Sequence, residues 1–192
     1  MNHFFAYLSR LKLINRWGLM RNTMQENDAE HSFQAALIAH GIALIGKERF
    51  GRDINPEHVL ALAVYHDAHE VITGDMPTPI KYHNPRMKAE FHSLEESASD
   101  MLINMLPKDM QAAYAPYLKP DESALEWRVV KAADKICAYI KCLEEQKAGN
   151  QEFDQAKKKI QSAIEAIDLP EVQAFYNEFL GSFTLTLDEL NQ

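Results

Sequence analysis

The sequence predicts an all-α fold, and three observations predict it. Apolar residues recur at three- and four-residue intervals along nearly the whole chain, as one face of a helix requires. Capping and stopping residues bracket the long periodic segments, with Asn27, Asn55-Pro56 and Pro170 at starts and Gly74 and Gly149-Asn150 at ends. Strict alternation is confined to one short stretch, Phe183 to Leu187, too little to build a sheet.

The elements follow in chain order. Phe4, Phe5, Leu8 and Leu11 predict a half-buried helix over about residues 2–14, followed by an irregular stretch, Asn15 to Glu26, where Gly18 and Asn22 permit turns. The second helix opens at Asn27, whose side chain caps free N–H groups while Glu30 reaches back to it. It carries His31 and the apolar stretch from Phe33 to Ile45. The third starts at Asn55-Pro56-Glu57, an N-cap followed by proline at the first helical position, and runs to Thr73-Gly74. The segment Asp75-Met76-Pro77-Thr78-Pro79 cannot continue it. Further helices are predicted over about 85–105, 107–117, 122–148 and 152–167, then a last one after Pro170. Phe183 to Leu187 reads as a short edge strand or an extended arm.

Composition narrows the function. At 192 residues the chain can bury a core without disulfides or a structural metal, and no apolar run approaches the roughly 18 residues of a membrane span. A net charge of −8 argues against binding a nucleic-acid polymer, which rests on neutralising many phosphates. Residues 1–25 nevertheless hold Arg10, Lys12, Arg16 and Arg21 and no acid, so a small anion is drawn there. Cys137 and Cys142 have neither zinc-knuckle nor redox spacing and read as reduced residues of a cytosolic protein.

The chemistry begins at His66-Asp67, which stands at the end of the apolar run Val59 to Tyr65. Charge in such a setting needs a partner, because an unpaired buried charge costs several kcal/mol. His31 and Asp134 sit in similar apolar surroundings, and the four make a ligand set of two imidazoles and two carboxylates. That mixed N/O chemistry suits a divalent transition ion with open positions. Glu70, four residues after His66 and three after Asp67, falls on the same helical face and is placed to move protons; alone, it could equally close a salt bridge. His69 faces away and reads as structural or exposed, and His3, His40, His58, His83 and His92 lack any acidic ligand pattern.

The order His31, His66-Asp67, Asp134 resembles the H…HD…D pattern of the HD-domain metal-dependent phosphohydrolases. The similarity extends to Arg10-Leu11-Lys12-Leu13-Ile14-Asn15-Arg16-Trp17, Glu30-His31-Ser32, Tyr65 to Glu70, Thr73 to Lys81, Lys131-Ala132-Ala133-Asp134, Cys142-Leu143-Glu144-Glu145 and Leu185 to Glu189. Over these segments the chain resembles the bacterial 5′-deoxynucleotidases.

That resemblance implies a single HD-domain helical bundle over 1–192, with its metal-binding core at about 27–145. It implies a homodimer that hydrolyses 2′-deoxyribonucleoside 5′-monophosphates with a divalent ion of the cobalt or manganese kind. His31, His66, Asp67 and Asp134 match the metal ligands, Glu70 the proton-transfer residue and Arg16 the phosphate-orienting arginine. His31, Asp67 and Asp134 match substrate contacts as well. Trp17 and the segment Asp75, Met76, Pro77 and Thr78 match positions lining the nucleotide. The residues agree: Arg16 offers a planar fork for phosphate oxygens and Trp17 a flat wall, although Trp17 read alone could be a core anchor and Asp75 a turn residue. Two rivals remain at this point, an HD phosphohydrolase of another nucleotide ester and a non-catalytic metal-binding regulator.

Overall fold

The computed structural model describes all 192 residues. It contains eleven α-helices and three short 3₁₀ turns, and the one β feature is an isolated bridge between Asn15 and Asn27. In order, α1 is Phe4–Leu8, α2 Asp28–Phe50, α3 Pro56–Tyr65, α4 Glu70–Thr73, α5 Thr78–Lys81, α6 Pro85–Asn104, α7 Lys108–Leu118, α8 Leu125–Lys147, α9 Asp154–Glu165, α10 Pro170–Phe179 and α11 Leu187–Leu190.

Helices α2, α3 and α8 form the centre. Ala35, Ala36, Ala39 and Ala43 of α2, Ala63 of α3 and Ala132 and Ala133 of α8 are buried, and these small side chains let the three backbones approach closely. Ile42, Val59, Val129, Ile136 and Ile140 fill the remaining space, and α10 closes it with Val172 and Phe175. A smaller cluster joins Phe4 of α1 to Leu102, Leu106 and Leu118. No helix is long and apolar enough to cross a membrane.

The predicted starts are observed. Asn27 accepts from the N–H groups of Ala29 and Glu30, both at 3.1 Å, although as a one-sided cap without the return bond expected from Glu30. Asn55 caps α3 through the N–H of His58, and Pro56 occupies its first turn.

Three expectations need correction. The first helix stops at Leu8, where the Ser9 hydroxyl donates to the Ala6 carbonyl at 2.8 Å and draws that acceptor out of the helical ladder; the chain resumes as a 3₁₀ turn at Leu11–Leu13. The third helix breaks after Tyr65. Backbone bonds from Ala68 to Tyr65 and from Glu70 to Asp67 span three residues, so His66 to His69 form tight turns before α4 begins. The stretch Phe183 to Leu187 is neither strand nor extended arm. It is the end of a 3₁₀ turn over Leu180–Thr184 and the start of α11, fixed by a capping box between Thr186 and Glu189 that outweighs the alternation.

Candidate metal and phosphate site

The break after Tyr65 positions the site. His66 turns its Nδ1 onto the carbonyl oxygen of Ala63 at 2.7 Å, and since that oxygen only accepts, Nδ1 carries the proton. The other nitrogen, Nε2, is buried with no hydrogen-bond partner. His31, near the start of α2, is arranged the same way: its Nδ1 lies 3.2 Å from Glu26 Oε1, and its Nε2 is buried without a hydrogen-bond partner. That Nε2 faces Asp134 Oδ1 of α8 at 3.2 Å and Asp67 Oδ2 at 3.6 Å, while His66 Nε2 stands 3.0 Å from the same Asp67 oxygen.

The donor atoms of His31, His66 and Asp134 lie within 4.8 Å of one another, with Asp67 against both imidazoles. Two bare imidazole nitrogens aimed at two carboxylates fit a divalent cation. The electrostatics agree. Burial opposes charge on both aspartates, but His66 and Arg16 hold the Asp67 carboxyl well below the usual range, and Lys131 and His31 do so for Asp134. Burial would lower His31, yet the carboxylates of Asp134 and Glu26 beside its two nitrogens win and push it up to about 9, so the cluster favours positive charge where a metal would sit.

Arg16 enters from the loop between Asn15 and Asn27, whose ends the β-bridge joins. Its Nη1 lies 3.1 Å from Asp67 Oδ2 and 3.5 Å from Asp28 Oδ1, its Nη2 4.0 Å from Asp134, and its Nε is buried without a hydrogen-bond partner. Trp17, beside it, donates its indole N–H to Glu26 Oε2 at 2.9 Å and packs edge-on against Phe153, with ring centroids 5.2 Å apart. Its backbone has φ +59, a left-handed conformation costing a bulky residue about 1–2 kcal/mol.

Glu70 begins α4. Burial, then the charges of Asp67 and Asp28, push its carboxyl up to about 11. It comes close to Asp67 through the tight turn and not along a continuous helix. Asp75 follows Gly74, is raised by burial and lies near Arg16 and Trp17, so the structure brings it to the cluster. Met76 and Pro77 are half-buried and Thr78 is exposed, and their backbone bonds build α5 without reaching the cluster. His69 is half-buried against Glu95 at 3.4 Å, the structural role expected, yet it also lines a cavity of about 680 Å³ with His66, Asp67, Lys81, Trp127 and Lys131.

Three residues enter that sequence reasoning did not assign. Glu26 holds His31 and Trp17 with its two oxygens; an acid five residues before a ligand histidine, just ahead of the N-cap of α2, was the available signal. Asp28 is fully buried, stands against Glu70 and is pushed up to about 6, chiefly by burial. Lys131, three residues before Asp134, reaches it at 3.0 Å.

With this geometry in place, the comparisons with known proteins are decisive. The family model described as 5′-deoxynucleotidase YfbR-like matches residues 3–183. The chain belongs to the YfbR-like 5′-deoxynucleotidase family. Family relatives include the 5′-deoxynucleotidase of Erwinia tasmaniensis, 50% identical over 100% of this chain and 97% of its own. Among solved structures, the HD-domain phosphohydrolase of Listeria innocua superposes with a TM-score of 0.79 at 25% identity, covering 99% of this chain and 92% of that one. An HD phosphohydrolase of cyanophage S-2L, bound to dA and one catalytic Zn²⁺, shares the fold with a TM-score of 0.61 at 19% identity, covering 94% and 96%. The helical bundle of this YfbR-like chain is therefore the HD-domain fold.

Proposed function

We propose that the protein hydrolyses 2′-deoxyribonucleoside 5′-monophosphates to deoxynucleoside and phosphate, within one HD domain whose His31, His66, Asp67 and Asp134 hold a divalent transition ion. The observation that carries this is the pair of buried imidazole nitrogens, His31 Nε2 and His66 Nε2, without hydrogen-bond partners and facing Asp67 and Asp134. Family membership supplies the reaction class.

When bound, a divalent ion of the cobalt or manganese kind supplies Lewis-acid polarisation and acidifies water. The chain's own residues do the rest. Arg16 directs its planar fork at the 5′-phosphate, offsetting charge on the transferred group and exchanging its present contacts with Asp67 and Asp28 for phosphate oxygens. Glu70, half-buried beside Asp67, holds and moves the proton. Trp17 forms a wall against the deoxyribose, and Asp75, close to Arg16 and Trp17, extends that wall toward Met76, Pro77 and Thr78. Glu26 fixes both His31 and Trp17, so the metal and sugar contacts share one support. The exposed row Phe33, Leu37 and Leu44 on α2 supplies apolar surface for a homodimer. The buried, unpaired thiols of Cys137 and Cys142 suit the cytosol.

The test is phosphate release by metal-stripped protein with cobalt, manganese, zinc or magnesium restored, over paired deoxy- and ribonucleotides and a cyclic nucleotide. Metal-dependent release from the deoxynucleoside monophosphates supports the assignment. Preference for a cyclic or ribonucleotide ester would replace it.

A further inference from the structure

Glu145 closes the motif Cys142-Leu143-Glu144-Glu145 on α8, and nothing in the chemistry above uses it. It is fully buried, and its carboxylate accepts hydrogen bonds from four residues while Glu144 is the neighbouring acid. The Thr23 N–H reaches it at 2.9 Å and the Thr23 hydroxyl at 2.7 Å; the Met24 N–H lies at 3.2 Å, Asn150 Nδ2 at 2.7 Å and Lys141 Nζ at 2.6 Å. Lys141, itself buried, also donates to the Met24 carbonyl, and Asn150 donates to the Arg21 carbonyl at 2.7 Å. The carboxylate and its two neighbours thus hold residues 21–24.

Those residues are the second half of the loop whose first half carries Arg16 and Trp17, and short bonds tie the halves together. The Trp17 carbonyl accepts from the Met20 N–H at 2.9 Å and from Asn22 Nδ2 at 3.3 Å. The Phe153 ring packs against Trp17 and also has Lys141 Nζ 5.7 Å from its centroid. Trp17 holds its left-handed backbone only because the surrounding contacts impose it.

We propose that Glu145 is a positioning residue of the hydrolase: through Thr23, Met24 and Asn150 it fixes the loop of residues 16–24 so that Arg16 and Trp17 face the nucleotide. A buried ion pair gives little stability over an apolar replacement, whereas fixing one register of a loop is a role such pairs serve well. The inference rests on the reading that Arg16 and Trp17 hold the substrate.

Glu145→Gln tests it without a change of volume, since the new amide places donors against donors. The measurements use metal-loaded protein in a Trp127→Phe background, where Trp17 is the single remaining indole. They comprise acrylamide quenching of Trp17, kcat and KM for a deoxynucleoside monophosphate and its ribonucleotide, metal content and melting temperature. The expected result is easier quenching, a loss of about 10–10²-fold in kcat/KM borne mainly by KM, a narrower deoxy-to-ribo ratio and unchanged metal content. If Glu145→Gln does not fold, Thr23→Val and Asn150→Ala carry the test, with smaller shifts in the same direction. A lower melting temperature with quenching, KM and substrate ratio all unchanged overturns the inference. Arg16→Ala and Trp17→Ala run alongside: unchanged KM in both would overturn the substrate reading itself. Raised KM in these two, with Glu145→Gln unaffected, overturns the role of Glu145 alone.

Discussion

The Nδ1 of His66 lies 2.7 Å from the carbonyl oxygen of Ala63, three residues earlier in the chain. This contact selects the tautomer in which Nε2 is bare, and it arises where α3 gives way to tight turns, so the backbone break and the ligand geometry are one feature.

His66→Gln should therefore fold and lose the ion. A ligand that binds only the native state stabilises it by about 2.7 kcal/mol at 100 times its dissociation constant. Saturating metal should raise the melting temperature of the wild type and leave that of His66→Gln unmoved; an equal rise in both would remove His66 from the ligand set.

Glu70→Gln keeps the shape of the side chain and removes its proton chemistry. Turnover should fall by about 10²–10⁴-fold while bound metal, measured by elemental analysis, stays at the wild-type level. Loss of metal with an unchanged rate per bound ion would make Glu70 a ligand instead.

Trp17→Ala should narrow the difference in kcat/KM between a deoxynucleotide and its ribonucleotide, chiefly by admitting the latter. An apolar pocket alone rejects an added hydroxyl by only about 10²-fold, so a rigid indole held by Glu26 and Phe153 has room to contribute. Equal slowing of both substrates would assign Trp17 to general binding and move the selectivity to Asp75 to Thr78.

Acid should erode the stabilisation that Glu145 gives the fold. Burial opposes charge on Glu145, but hydrogen bonds from Lys141, Thr23 and Asn150 prevail and hold its carboxyl well below the ordinary range. A depressed folded value means that this stabilisation is complete above the unfolded pKa of about 4.3 and is lost as pH falls below it. Glu145→Gln should cost about 3–5 kcal/mol at pH 7, and the gap from wild type should shrink steadily as the pH of a urea denaturation series is lowered from 5 to 3. A gap independent of pH would show that the carboxylate charge is not what holds the loop.

Much of this was readable in the residues, for identifiable reasons. Asn27, Asn55-Pro56 and Gly149 act through local backbone chemistry, so the helix starts and stops followed from them. His31, His66, Asp67 and Asp134 stood out because charge in apolar surroundings demands a partner, and the fold does bring them together. The break after Tyr65 was hidden because it depends on a side chain capturing a carbonyl within an otherwise helical pattern. Asp28 and Glu145 were hidden too: each draws its meaning from partners on another segment, and Glu145 lies 122 positions from Thr23 in the chain. At the C-terminus the capping box between Thr186 and Glu189 overrides the five-residue alternation that suggested a strand or arm.

The central claim is that His31, His66, Asp67 and Asp134 form the metal centre at which a deoxynucleotide is cleaved. Crystals of Glu70→Gln soaked with cobalt and a deoxynucleoside 5′-monophosphate, measured at the cobalt absorption edge, test it most directly. The account predicts an anomalous peak bonded to His31 Nε2, His66 Nε2 and the two aspartates, with the phosphate between it and Arg16. A peak elsewhere, or a nucleotide bound away from Arg16 and Trp17, would contradict it.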